Sequence, residues 1–278
     1  MRRTATAFVT VTMAVVAGCS SSPHRGASTT RATIAATTTT TSAPPVATFT
    51  KRSEVSPIYG QGVASVANGW VFSGTRWIAH TDAALHQTSI NEHAIPAAWM
   101  ARGYNHVGDI DVVGDVLYAP YEEPDYSLGH QATAMYDATT LRFESAVVLP
   151  QHQNSFVTVD PKTMIAYSMD QFGGGALLRY DVAHDWKRLA PLKMSRFVDK
   201  VQGADIAQGA AWLSTDDPQK ELYRVDLATG RVDALASQGF LKGEGEGIDA
   251  TPLPSGLLHA LVITPTLAPM YLQDFRVG

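Results

Sequence analysis

The chain has 278 residues, 45% of them hydrophobic and 17% charged, enough apolar material to bury a sizeable core in one or two domains. Its formal net charge is −5, and setting aside Arg2 and Arg3, the only basic residues of the first 18, leaves 19 basic against 26 acidic residues, or −7. That balance argues against nucleic acid or anionic lipid as the main partner.

The N-terminus reads as an export signal over residues 1–18: Arg2 and Arg3, a short apolar region from about Ala5 to Ala17, then small residues before a cysteine. The apolar region is shorter than the roughly 20 residues of a spanning helix. Val16-Ala17-Gly18-Cys19 resembles the bacterial lipobox, and Cys19 is the single cysteine of the chain. The resemblance implies cleavage before Cys19, a diacylglycerol thioether on it, and a domain held on the extracytoplasmic side of the cell membrane. A lipidated Cys19 leaves no thiol for a disulfide, a redox couple or a nucleophile. From Cys19 to residue 47 the chain is mostly Ser, Thr, Ala and Pro with the run Thr37–Thr41, too poor in apolar side chains to offset its ordering entropy, and is expected to be a disordered tether.

Residues 48–278 carry an internal repeat. A small or polar residue leads into an apolar strand, a tight turn and a second apolar strand, as in "QGVASVANGWVFSG" from Gln61 and "QGADIAQGAAWLST" from Gln202. Aligning Gly62, Gly108, Phe156, Gly203 and Gly247 gives steps of 46, 48, 47 and 44 residues. Each first half is followed by a strand ending in Asp, a turn and another strand, with Asp82, Asp137, Asp181, Asp226 and Asp274 expected to accept backbone hydrogen bonds in those turns. Four strands per unit is the content of one propeller blade. The expected fold is therefore all-β, a five-bladed β-propeller of four-stranded blades. The last unit has three strands before Gly278, and the segment "VATFTKRSEV" at 46–55 is expected to supply its outer strand and close the ring. The one helical stretch expected is a turn or two in "IPAAWMARG" at 95–103.

In such a ring the loops entering the inner strands, and those between second and third strands, open on one face. They carry His106, Asp109, Glu122, Glu123, Asp125, His130, His152, Asp170, Gln202, Asp205, Asp216, Asp217, Glu244, Glu246 and Asp249, so that face should be acidic. In "KGEGEGIDA" the glycines let the chain enter a crowded channel while Glu244 and Glu246 face its mouth. The expected ligand-binding set is His106, Asp109, Gln202, Asp205, Glu244, Glu246 and Asp249. Oxygen ligands from different blades suit a hard cation, calcium or magnesium, with Asp109, Glu244 and Glu246 as candidate metal ligands. Channel residues that only hydrogen-bond to buried water are the alternative.

Other motifs weaken. "DIDVVG" from Asp109 lacks a calcium loop's later ligands, having Val113 and Pro120 there, and "GEGEG" opens no helix for a phosphate. The chain contains no H-E-x-x-H and no G-x-S-x-G. "NHVGDIDVVGDVLYAPYEE", "VQGADIAQGAAWLSTDD" and "GEGEGIDATPLPSGLLHAL" resemble a set of uncharacterised bacterial extracytoplasmic propellers, with looser similarity to gluconolactonase- and regucalcin-type propellers. The looser relatives imply one central divalent cation, although "GQGVAS" has no carboxylate where one is expected. The function expected is a lipid-anchored envelope module that binds a small molecule or an envelope protein. The alternative is a cation-dependent, lactonase-like hydrolase with His106 as base. A protein partner would use an exposed aromatic patch of Tyr104, Tyr121, Tyr126 and Phe172.

Overall fold

A computed structural model describes residues 46–170, 173–239, 242–264 and 269–278. The expected leader, Cys19, most of the tether, and Phe172 lie outside these. Strand β1 (Ala47–Val55) comes first, and the strands after it form five antiparallel sheets in chain order. Blade 1 holds β2 (Gly62–Val66), β3 (Gly69–Gly74), β4 (Trp77–Asp82) and β5 (Gln87–Asn91). A single helical turn, α1 (Ala97–Met100), leads to blade 2: β6 (His106–Val107), β7 (Asp111–Val113), β8 (Val116–Glu122), β9 (Gln131–Asp137) and β10 (Phe143–Leu149). Blade 3 holds β11 (Thr158–Asp160), β12 (Ile165–Ser168), β13 (Gly174–Asp181), β14 (Lys187–Arg188) and β15 (Leu192–Val198). Blade 4 holds β16 (Val201–Ala207), β17 (Ala210–Thr215), β18 (Glu221–Asp226) and β19 (Val232–Ser237). Blade 5 holds β20 (Glu244–Asp249), β21 (Leu257–Ile263) and β22 (Met270–Val277), and β1 pairs with β22 from Ala47↔Val277 to Val55↔Met270. The fold is the five-bladed β-propeller expected, closed by its N-terminal strand.

Alternation along each strand sends successive side chains into opposite inter-blade gaps. On β3, Val71 packs with Leu117 and Ile110 toward blade 2, while Phe72 packs with Leu261 and Met270 toward blade 5. Each gap between neighbouring blades contains one such buried cluster, so every blade is apolar on both faces.

The turns that end the third strands are held in two ways. Asp82, Asp137 and Asp226 accept backbone N–H bonds from Ala84 and His86, from Thr139 and Thr140, and from Ala228 and Thr229. Asp181 and Asp274 instead pair with His184 and His259, both at 2.9 Å. The hairpin of blade 4 turns on Gly230, whose φ of +73° is a left-handed conformation.

Candidate functional site

The inner strands converge so closely that side chains are excluded at one level of the channel. A Cβ on Gly203 would stand 2.5 Å from Asp109 Oδ2, one on Gly247 2.5 Å from Oδ1, and one on Gly62 2.7 Å from the Asp109 Cα. These are positions of the aligned repeat column, and the space they vacate is filled by one side chain. In blade 2 the inner strand breaks between β6 and β7, and Asp109, lying in the break, turns its carboxylate across the axis.

That carboxylate accepts the backbone N–H groups of Val63 at 3.1 Å, Ala204 at 3.1 Å and Ile248 at 3.3 Å, from blades 1, 4 and 5. Its own backbone bridges blade 3, the Asp109 N–H donating to Ser155 and the Val157 N–H donating back to Asp109. One residue thus touches all five blades. Burial drives its pKa well above the ordinary aspartate value, and the three N–H donors oppose that rise.

Further along the strands lies a second layer of carboxylates, each reaching a neighbouring blade. Asp111 accepts from the Val159 N–H at 2.7 Å and the Thr158 hydroxyl at 3.1 Å, and Asp205 accepts from the Ala250 N–H at 2.6 Å. Asp249 accepts from the Ser65 hydroxyl at 3.1 Å, joining blade 5 to blade 1. The Asp249 Oδ2 is buried without a hydrogen-bond partner. Burial raises all three; Asp205 is pushed up to about 6 and Asp249 to about 7.

On the entry side of Asp109 a recess of about 240 Å³ opens to solvent, lined by Gln61, His106, Gly108, Glu122, Tyr126, Ser155, Gln202, Glu244 and Glu246. All five blades contribute to it. Glu246 is only 5% exposed, and burial first, then the neighbouring Glu244 carboxylate, raises its pKa well above the ordinary glutamate value. Burial lowers the pKa of His106, partly countered by Glu122, and its Nε2 lies 2.6 Å from Gln61 Oε1. Glu122 accepts from the Asn154 N–H at 3.2 Å, which fixes it at the wall.

Of the expected ligand-binding residues, the structure brings His106, Gln202, Glu244 and Glu246 together around this recess. Asp109 forms its floor, with its oxygens turned to backbone donors. Asp205 and Asp249 lie three residues further along their strands than Gln202 and Glu246, about 10 Å deeper at strand spacing, where they stitch blades together instead of facing the mouth. Two of the three candidate metal ligands, Glu244 and Glu246, therefore meet, and the third is committed below them. Among the described residues no group of three or more His, Cys, Asp or Glu side chains is arranged to hold a metal ion.

Gln61 and Ser155 were not anticipated as site residues. The repeat alignment holds the signal: the position before the glycine column reads Gln61, Val107, Ser155, Gln202 and Glu246, and four of those five line the recess. Blade 2 departs because its strand is broken, and it offers His106 instead. The expected aromatic patch is corrected, since Tyr104 and Tyr121 are 1% and 0% exposed and belong to the core between blades 1 and 2. Tyr126 is half-buried at the edge of the recess, where a second cavity of about 520 Å³ begins, lined also by His152, Asp170 and the exposed Phe197.

A five-bladed propeller with a polar, floored recess at one mouth is the class the geometry defines. No family model and no curated protein matches the chain. Solved structures share its fold at low identity. The glutaminyl cyclase of Myxococcus xanthus aligns with a TM-score of 0.62 at 13% identity, over 84% of this chain and 98% of that one. A luciferin-regenerating enzyme aligns with a TM-score of 0.51 at 12% identity, over 78% of this chain and 77% of that one. Both likenesses are of fold.

Proposed function

We propose that the chain is a ligand-binding module of the cell envelope, anchored through Cys19, held off the extracytoplasmic face of the membrane by residues 19–47, and binding a small polar molecule at the propeller mouth. The observation that carries this reading is the recess itself, to which every blade brings a polar residue and which Asp109 closes from below. A closed floor makes a pocket out of what would otherwise be a channel. Polar groups converging from several rigid strands favour a specific small ligand, because their positions are fixed before binding. The two-chain lipid of a diacylated cysteine suits stable attachment. Two experiments test it. A metabolite screen by thermal shift should yield a hit lost in Glu246→Gln and in His106→Gln, while a hit unaffected by either moves the site elsewhere. Cys19→Ser should transfer the protein from the membrane fraction to the soluble fraction, and an unchanged distribution removes the anchor.

A second reading, hydrolysis of a small ester or lactone, is supported by one pair of groups. Glu246 holds its proton unusually tightly and His106 releases its own unusually easily, so the recess offers an acid and a neutral base. A calcium or magnesium ion held by Glu244 and Glu246 would polarise a carbonyl there. Turnover of a lactone panel that vanishes in both His106→Gln and Glu246→Gln would establish this reading, and inactivity toward the panel with and without added calcium would dismiss it.

A further inference from the structure

The recess is unusual in what it lacks as well as in what it gathers. Among the described residues its lining includes three carboxylates, Glu122, Glu244 and Glu246, and neither Lys nor Arg. Its one imidazole is biased toward the neutral form by burial. Glu122 is satisfied by the Asn154 N–H. Glu246 is different: it is nineteen-twentieths buried, it lines the cavity, and among the described residues its side chain meets the carboxyl of Glu244, with which it shares a hydrogen bond, and no backbone or hydroxyl donor. A buried carboxylate without a donor is costly, and two in contact more so. Asp109, Asp111, Asp205 and Asp249 each accept from at least one backbone or hydroxyl donor, although the Asp249 Oδ2 has none. Among the described residues Glu246 thus faces the cavity with the Glu244 carboxyl as its partner and no backbone donor.

The remaining lining restricts what that donor is. Gln202 offers an amide oxygen and Ser155 a hydroxyl, the Gln61 oxygen already meets His106 Nε2 at 2.6 Å, and among the described residues no third acid, imidazole or thiol joins Glu244 and Glu246 around a single point. A volume of about 240 Å³ corresponds to about eight water molecules. A compact cation with several N–H donors fits this pattern. We propose that the mouth recess binds the primary-ammonium head of a small organic cation, with the Glu244–Glu246 carboxyl pair as its anionic partner and Gln202 as an amide acceptor. This rests on the proposed binding role of the mouth and specifies its ligand class.

The test is calorimetric titration of the full chain in neutral detergent with four probes: propylamine, tetramethylammonium, calcium chloride and glucose. Propylamine is expected to bind, tetramethylammonium at least tenfold more weakly because it carries charge without N–H donors, and Glu246→Gln is expected to weaken propylamine at least tenfold. Glu244→Gln, at an exposed residue where folding is not at issue, should weaken it several-fold. Equal binding of propylamine and tetramethylammonium overturns the inference, as does propylamine binding that survives both substitutions. Binding of calcium or glucose alone, lost in Glu246→Gln, overturns the ammonium inference while leaving the mouth as the binding site. Silence from all four probes overturns the ammonium inference, and a metabolite screen that also fails takes the mouth reading with it.

Discussion

The Asp109 carboxylate and the Ile248 N–H meet at 3.3 Å across 139 residues of sequence, from blade 2 to blade 5. The same carboxylate takes the N–H groups of Ala204 and Val63, so the axis of the propeller is held by one side chain that three other blades address with backbone donors. Loss of that acceptor leaves three buried backbone donors without partners. Asp109→Ala should therefore destabilise the protein by about 3 kcal/mol or more in denaturant unfolding. Asp109→Asn, which retains one acceptor oxygen, should lose less. Equal midpoints for Asp109→Ala and the parent protein would show that the donors find other acceptors.

The glycines around that carboxylate are required by close approach. Gly203→Ala would place its methyl 2.5 Å from Asp109 Oδ2 and 2.8 Å from the Glu246 carbonyl, so relief needs backbone movement. A loss of about 1–3 kcal/mol is expected, as for other overpacked cores. Gly175→Ala, where a Cβ meets nothing within 4 Å, is the control and should be near neutral.

The inner carboxylates make stability depend on pH. Asp205 and Asp249 fold with pKa values raised from 3.8 to about 6 and about 7, so the folded state holds their protons more tightly than the unfolded chain does. Such a contribution is complete below the unfolded value near 4 and is lost as pH rises through the folded values. The melting temperature should consequently fall between about pH 4 and pH 7 and level off above. Asp249→Asn, which removes the ionisation beside the unpartnered oxygen, should flatten much of that slope. A melting temperature that rises over this interval would contradict the assignment.

Closure depends on β1. Deleting residues 46–55 strips the edge of β22 over eight paired residues, from Ala47↔Val277 to Val55↔Met270, and removes Val55 from the core between blades 5 and 1. An uncovered strand edge is a template for pairing with other chains. The truncated protein should lose its cooperative melt and associate, which sedimentation would show. A monomer with an unchanged melt would mean that blade 5 stands on three strands.

How much of this was written in the chain can be judged from particular residues. The blade count and the closing role of residues 46–55 were legible because strand alternation, turn aspartates and the glycine column recur at a near-constant step, and repetition is a local property of sequence. Glu246, Gln202 and His106 were legible as mouth residues for the same reason, since each stands in the first three residues of an inner strand. Asp109, Asp205 and Asp249 have the same local look, a carboxylate beside a glycine or alanine in or next to an inner strand. Tertiary structure decided that Asp109 spans the axis, because the break between β6 and β7 turns it inward and three glycines from other blades clear its space. It decided also that Asp205 and Asp249 lie a layer deeper, since strand rise converts three residues into about 10 Å. Whether an acid is a ligand-facing group or a clamp depends on which donors of other blades reach it, and those donors lie 45 to 184 residues away in the chain.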